Sequence, residues 1–267
     1  MLASPDVTAA SVGTDFSTVT EVPGTGITRQ ALEMLWTRYA YAAELCAGRD
    51  VLELACGAGQ GLACLAATAR RVVGCDYTDA LVRSAFFEYG AEVPVLRADA
   101  HLLPFAARSF DAVVLFEALY YLASPDRFAQ ECRRVLRPGG IAIVCSVNPE
   151  WADFNPSPHS HQYLTATQVA ALFESHGFNA DVSGAFPAAA GSASAAVVSL
   201  LKRTAVSLGL VPKTMKGKRI LKRIFLGELV DAPVRIAPGA ARYHPPARFD
   251  ASRPDQYKVF YVVARLR

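Results

Sequence analysis

No stretch of the 267-residue sequence is long and apolar enough to span a bilayer, and the opening residues, MLASPDVTAASVGTDFSTVTEV, have neither a basic start nor an apolar run. The expectation is a cytoplasmic protein without a secretory leader. Cysteine pairs are missing too. Cys46, Cys56, Cys64, Cys75, Cys132 and Cys145 form no CxxC and no CxxxCxxC, which disfavours a zinc ribbon, a dithiol redox centre or an iron–sulfur cluster, so they read as buried free thiols. No internal repeat is evident. Charge of either sign is scarcely in excess: 27 basic against 24 acidic residues give a net +3, which argues neither for nor against nucleic acid. Acidic residues are absent over one long stretch, 182–227, which holds eight Lys or Arg.

What is present is apolar and alternating. With 52% hydrophobic residues, the chain can bury one large α/β core. Residues 28–46, TRQALEMLWTRYAYAAELC, place Leu32, Leu35, Trp36, Tyr39, Ala43 and Cys46 at helical spacing. Short runs rich in Val, Leu and Ile follow at 50–55, 71–76, 93–98, 110–117 and 140–147, separated by helical segments. Strands buried on both faces by helices have this composition, so the pattern predicts a doubly wound, mainly parallel sheet. RPGG at 137–140 stops one helix and feeds the fifth strand. A helix over 165–178, capped by Thr165 or Thr167, leads to a sixth strand near 179–184, and 257–266 supplies a seventh. The expected division is an N-terminal helical flap and helix (1–49), a core (50–186), a helical basic insertion (187–250) and the last core strand (251–267).

The first strand runs into a loop with three glycines, VLELACGAGQG at 51–61. Such a turn lets a ligand approach the main chain, or simply permits a tight strand-to-helix connection. A dinucleotide fingerprint requires a third glycine where Leu62 stands. Glu53, just before the loop, would repel a pyrophosphate but attract an ammonium group. Asp76 ends the second strand, 19 residues beyond Gly57, where it could accept ribose hydroxyls or cap a helix.

These features, with LRADAHLLPFAARSFDAVVLFEALYYL at 96–122 and ECRRVLRPGGIAIV at 131–144, resemble the class I S-adenosylmethionine-dependent methyltransferases of the bacterial small-molecule type. The resemblance implies a Rossmann-like seven-stranded fold and S-adenosylmethionine as cofactor. Glu53, Ala55, Gly57 and Gly59 match the family's first motif, with Ala55 where glycine is frequent, and Cys56 lies within the same loop. In that resemblance Asp76 with Tyr77 holds the ribose, Asp99 and Ala100 flank the adenine, and Phe116 with Glu117 lines the methionine end. Arg38 could pair with the cofactor carboxylate and Tyr39 or Tyr41 close over its methionine end, or Arg38 could be an ordinary exposed residue of an amphipathic helix. After the fourth strand the chain reads Phe116, Glu117, Ala118, Leu119, without the [DN]-P-P-[YFW] of adenine- and glutamine-directed members.

Methyl transfer needs alignment, and a general base where the acceptor is a hydroxyl. Glu117 and Tyr121 after the fourth strand, and His159 and His161 after the fifth, are the candidates. Two histidines at i and i+2 lack a third ligand at metal spacing, and no metal is expected. The basic run, with Lys202, Arg203, Lys213, Lys216 and Lys218, reads as a lid for an anionic acceptor, a contact to anionic lipid, or a solvated face. The reading is a methyltransferase for a small-molecule acceptor, anionic or lipid- or sugar-linked, with nucleic acid disfavoured and oligomeric state open. A nicotinamide-dependent oxidoreductase and a non-catalytic membrane-docking protein are the alternatives.

Overall fold

The structure, a computed structural model, describes residues 15–188 and 229–267. After a short 3-10 turn (Phe16–Thr18), β1 (Gly26–Thr28) leads into α1 (Arg29–Leu45), where the Thr28 side chain accepts the Ala31 N–H as an N-cap. The alternation that follows is β2 (Asp50–Leu54), α2 (Leu62–Ala66), β3 (Arg71–Asp76), α3 (Asp79–Tyr89), β4 (Val95–Arg97) and β5 (Phe110–Phe116). The chain continues through α4 (Pro125–Val135), β6 (Leu136–Val147), α5 (Ala166–Ser175) and β7 (Phe178–Pro187). Beyond the undescribed stretch come β8 (Leu229–Asp231), β9 (Ala247–Arg248) and β10 (Tyr257–Leu266). A capping box at Thr165 and Gln168 starts α5, as the sequence signal required.

The central sheet has the order β4-β3-β2-β5-β6-β10-β7-β9. Pairings among β4, β3, β2, β5 and β6 are parallel, and those of β10 with β6 and β7, and of β7 with β9, are antiparallel. The sequence predicts seven strands; the eighth is β9, a two-residue addition at the outer edge of β7. Period-two alternation splits the core into two layers. Val51, Ala112, Val114, Ile141 and Ile143 pack beneath α1 and α2, while Leu52, Leu54, Val113, Leu115, Ala142 and Val144 face α4 and α5. Parallel strands sandwiched this way must be apolar on both sides, which is why their runs stood out in the sequence.

The expectation of a helical 187–250 needs correction over its described part. Residues 229–250 contain β8, β9 and irregular chain, with no helix. β8 pairs antiparallel with β1 as a separate two-stranded sheet, extended by the Gly24 N–H donating to Ala232 O and the Ala232 N–H donating to Thr25 O. The basic run, with Lys202, Arg203, Lys213, Lys216 and Lys218, lies outside the described residues. Among the described residues no helix is long and apolar enough to cross a membrane.

Candidate functional site

Sheet order reverses between β3-β2 and β5-β6, so the loops after β2 and β5 diverge and leave a crevice at the carboxyl ends of the strands. A cavity of about 700 Å³ occupies it, within the range of small-molecule sites. Its walls come from the loops after β2, β3, β4, β5 and β6, one face of α1 and residues 16–21 of the flap.

The glycine loop is shaped by three distinct demands. Gly57 has φ +59° and donates its N–H to Asp76 Oδ2 at 2.9 Å, and a Cβ there would press on Thr20 of the flap. Gly59, at φ +85°, faces α3 instead: a Cβ would come within 2.9 Å of the Tyr89 ring. It does not line the cavity, so its placement is a packing one. Gly61 seats the Tyr39 ring, with which any Cβ would collide. Ala55 holds φ 54°, a left-handed conformation that costs an L-residue about 1 kcal/mol and that glycine adopts freely. Its departure from the family's frequent glycine is therefore paid in strain.

Glu53 is fully enclosed and does not reach the cavity wall. Tyr39 donates its hydroxyl to Glu53 Oε1 at 2.5 Å, while Oε2 has no partner. Burial pushes the Glu53 carboxyl up to about 7, against the lowering effect of the Tyr39 hydrogen bond, with Asp76 adding repulsion. Burial likewise raises Asp76, opposed by the N–H groups of Thr78 (2.8 Å) and Gly57 that its carboxylate accepts. Asp76 thus organises the loop and the start of α3 together, and its remaining lone pairs face the cavity that it lines.

At the far side of the loop, Arg38 Nη1 approaches Glu117 Oε1 at 3.3 Å, and Arg38 Nε is buried without a partner. Burial works to lower the Arg38 pKa, but Glu117, Cys145, Tyr261 and Tyr39 together outweigh it, so the net shift is upward and the group stays charged. The Arg38 side chain is only 13% exposed and paired with Glu117, so it is not an ordinary exposed arginine. Glu117, at φ 50°, also accepts from Val147 N–H (3.2 Å) and Tyr120 Oη (3.4 Å). Burial raises its carboxyl and Arg38 pulls it back.

Of the sequence-derived cofactor candidates, Ala55, Cys56, Gly57, Asp76, Tyr77, Asp99, Ala100, Phe116, Arg38 and Tyr39 share the cavity wall, and Glu53 and Gly59 do not. Among the proton-transfer candidates Glu117, Tyr121 and His161 line it. His159 does not. It sits on an exposed bend at φ 65°, its ring 6.5 Å from that of Phe16. The Tyr121 hydroxyl is engaged with Ser157 Oγ at 2.5 Å, and its ring stacks against Phe16 at 5.0 Å.

Sequence reasoning missed several wall residues. Phe16, anchored by its N–H to Thr78 Oγ1 (3.3 Å), covers the cavity mouth between Tyr77 and Tyr121. His101 Nδ1 meets Asp99 Oδ1 at 2.6 Å, and Ser124 N–H donates to its Nε2 at 3.2 Å. That fixes the neutral Nδ1–H tautomer and ties the loop after β4 to the start of α4. Gln30, Met34, Trp151 and Lys258 line the opposite end. Only Phe16 had a signal, as an aromatic in a small polar segment.

The wall fits S-adenosylmethionine on one structural ground. Among the described residues Arg38 Nε, on the cavity wall beside a glycine-bearing loop, is buried without a partner, and an α-amino acid end supplies a carboxylate. Residues 52–144 match the family model described as a methyltransferase domain. Over these residues the chain carries a methyltransferase domain. A "Probable S-adenosylmethionine-dependent methyltransferase" of Mycolicibacterium smegmatis is 36% identical over 162 residues, 57% of this chain and 62% of the relative. A demethylmenaquinone methyltransferase of Clavibacter sepedonicus is 36% identical over 101 residues, 37% of this chain and 41% of the relative. The chain thus spans less than two thirds of the length of these curated relatives. In fold, the methyltransferase domain and its surroundings resemble a crystal structure from Thermotoga maritima described as a SAM-dependent methyltransferase and "possible histamine N-methyltransferase". The TM-score is 0.59 at 14% identity, covering 90% of this chain and 92% of the other.

Proposed function

We propose that the protein transfers the methyl group of S-adenosylmethionine to a small-molecule acceptor bound in the same cavity. The observation that carries this reading is Arg38 Nε, buried without a partner among the described residues, on the wall of a cavity that also takes in the glycine loop, Asp76 and Asp99. In it, Arg38 holds the carboxylate of the amino-acid end, Asp76 and Tyr77 the ribose, and Asp99 and Ala100 the base, while Glu53 lies behind Tyr39 and sets that ring. When bound, the cofactor supplies an electrophilic methyl on a sulfonium, and transfer is an in-line displacement governed by alignment.

The chain's own residues contribute position and shielding. Arg38 and Glu117 neutralise each other, so neither presents an uncompensated charge to a cationic centre. Phe16, packed on Tyr121 and bonded to Thr78, excludes water from the mouth. Of the proton-transfer candidates read from the sequence, Glu117 and His161 are the ones on the wall able to accept an acceptor proton, and Tyr121 positions the flap through its ring. A small organic acceptor is supported by the relative named for demethylmenaquinone.

Calorimetric titration with S-adenosylmethionine, S-adenosylhomocysteine and NAD tests the cofactor assignment. The first two should bind and raise the melting midpoint, since a ligand of the folded state stabilises it by mass action, and NAD should do neither. Label from the methyl group should then appear in a small molecule after incubation with extract. Binding of NAD alone would return the reading to an oxidoreductase.

A further inference from the structure

The cavity extends well past the residues that would hold the cofactor. Gln30, Ala31, Met34, Leu35 and Arg38 line it from one face of α1, and the eight-residue span from Gln30 to Arg38 covers about 12 Å at 1.5 Å per residue. At the Arg38 end lie Glu117 and, through Tyr39, the glycine loop. At the Gln30 end lies a different chemistry. Lys258 Nζ donates to Gln30 Oε1 at 2.8 Å and sits 5.2 Å from the centroid of the Trp151 ring.

This end is built from a hub. Asn148, completely buried, accepts the Trp151 N–H on its backbone carbonyl (3.2 Å) and donates its own N–H to the Lys258 carbonyl (2.8 Å). Its side-chain amide donates to Tyr257 O (2.9 Å) and Pro254 O (2.7 Å) and accepts from Glu150 N–H (3.1 Å). One residue therefore fixes both the start of β10, which carries Lys258, and the turn that carries Trp151. The ammonium has three donors and spends one on a neutral amide, with the Trp151 face beneath it. Burial depresses its pKa and the Asp153 carboxylate opposes that shift. Met34, Leu35, Val147 and Val259 supply the apolar part of the wall, with Glu21 and Thr28 among the polar residues that also line it.

We propose that Lys258, set by Gln30 and Trp151, is the acceptor-recognition residue, and that the acceptor is an apolar molecule carrying one ionised oxygen group, a carboxylate or an acidic enol or phenol. The anionic oxygen pairs with the ammonium at one end of the cavity. The apolar body lies along Met34 and Val259, and the atom to be methylated reaches toward Arg38 and Glu117. This inference deepens the methyltransferase reading and rests on it. It places the cation for an anionic acceptor on β10, within the described residues. Lys258 is a positioning residue, since nothing places it at the reacting atoms.

The test uses 2-naphthoate and its neutral isostere 2-naphthamide as probes, titrated by calorimetry into the full chain saturated with S-adenosylhomocysteine. The charged probe should bind at least about tenfold more tightly, the yield of one charge-assisted hydrogen bond. Lys258→Met should erase the difference, Lys258→Arg should keep it, and both should hold S-adenosylhomocysteine within about twofold, because the α1 face separates the two ends of the cavity by about 12 Å. Equal affinity for the two probes in the wild type, failure of 2-naphthoate to bind at millimolar concentration, or a preference that survives Lys258→Met would overturn the assignment. A wild type that binds neither S-adenosylmethionine nor S-adenosylhomocysteine would instead sink the methyltransferase reading, so the two failures are distinguishable. Should Lys258→Met unfold, Gln30→Leu, which frees the ammonium without touching it, should weaken the preference and serves in its place.

Discussion

Glu53→Gln separates what the buried carboxylate costs the fold from what it does for the ligand. Below pH 4.5 both the folded and unfolded chain hold the Glu53 proton. As pH rises the unfolded chain releases it first, while the folded chain, with a carboxyl at about 7, retains it, so stability falls until pH passes the folded value. For an ordinary value of 4.5 against one of about 7, the deficit is roughly 3 kcal/mol at pH 8 and under about 1 kcal/mol at pH 5. Glutamine has no proton to lose. Its amide nitrogen at the Oε2 position would have no acceptor, which costs about 1–3 kcal/mol, but that cost is the same at both pH values. The stability of Glu53→Gln relative to wild type should therefore rise by about 2–3 kcal/mol between pH 5 and pH 8, read from urea unfolding at each pH. Because Glu53 lies behind Tyr39 and off the cavity wall, the same variant should hold S-adenosylmethionine within about twofold of wild type. Parallel stability profiles for the two proteins would show that Glu53 is not held protonated by burial and would refute the reasoning.

Gly61→Ala should destabilise by about 2–4 kcal/mol through collision with Tyr39, and in a Tyr39→Ala background the same change should cost under about 1 kcal/mol, a non-additivity that urea denaturation of the four proteins would reveal. Asp76→Ala leaves the Gly57 and Thr78 N–H groups without their acceptor; calorimetry should show cofactor affinity lowered by at least about tenfold and denaturation a loss of about 2 kcal/mol or more. His161→Ala should lower turnover by roughly 10²-fold if that residue takes the acceptor proton, whereas His159→Ala, off the cavity wall, should leave turnover within about twofold of wild type in initial-rate assays. Ala55→Gly should raise the melting midpoint, by an amount equivalent to no more than about 1 kcal/mol, because it relieves the left-handed backbone.

The parallel half of the sheet was legible without coordinates. Strands covered on both faces have no polar side to show, so 50–55, 71–76 and 110–117 surfaced as apolar runs, and the loop between β2 and α2 announced itself because a left-handed backbone and close packing exclude side chains at Gly57, Gly59 and Gly61. Motif positions within 52–144 were readable for the same reason: each lies at the end of its own strand, and strand ends converge in this topology. What the sequence could not divide was the loop's labour, since Gly59 and Gly61 serve Tyr89 and Tyr39 while Gly57 serves Asp76 and the cavity. It also placed Glu53 as a ligand contact when tertiary packing encloses it behind Tyr39. The second half of the cavity was invisible. Lys258 and Gln30 are 228 residues apart, and a lysine at the start of a strand looks like any solvated one until β10 inserts between β6 and β7 and carries it to α1. Local composition specifies local backbone, but a site assembled from the two ends of the chain exists only once the sheet has closed between them.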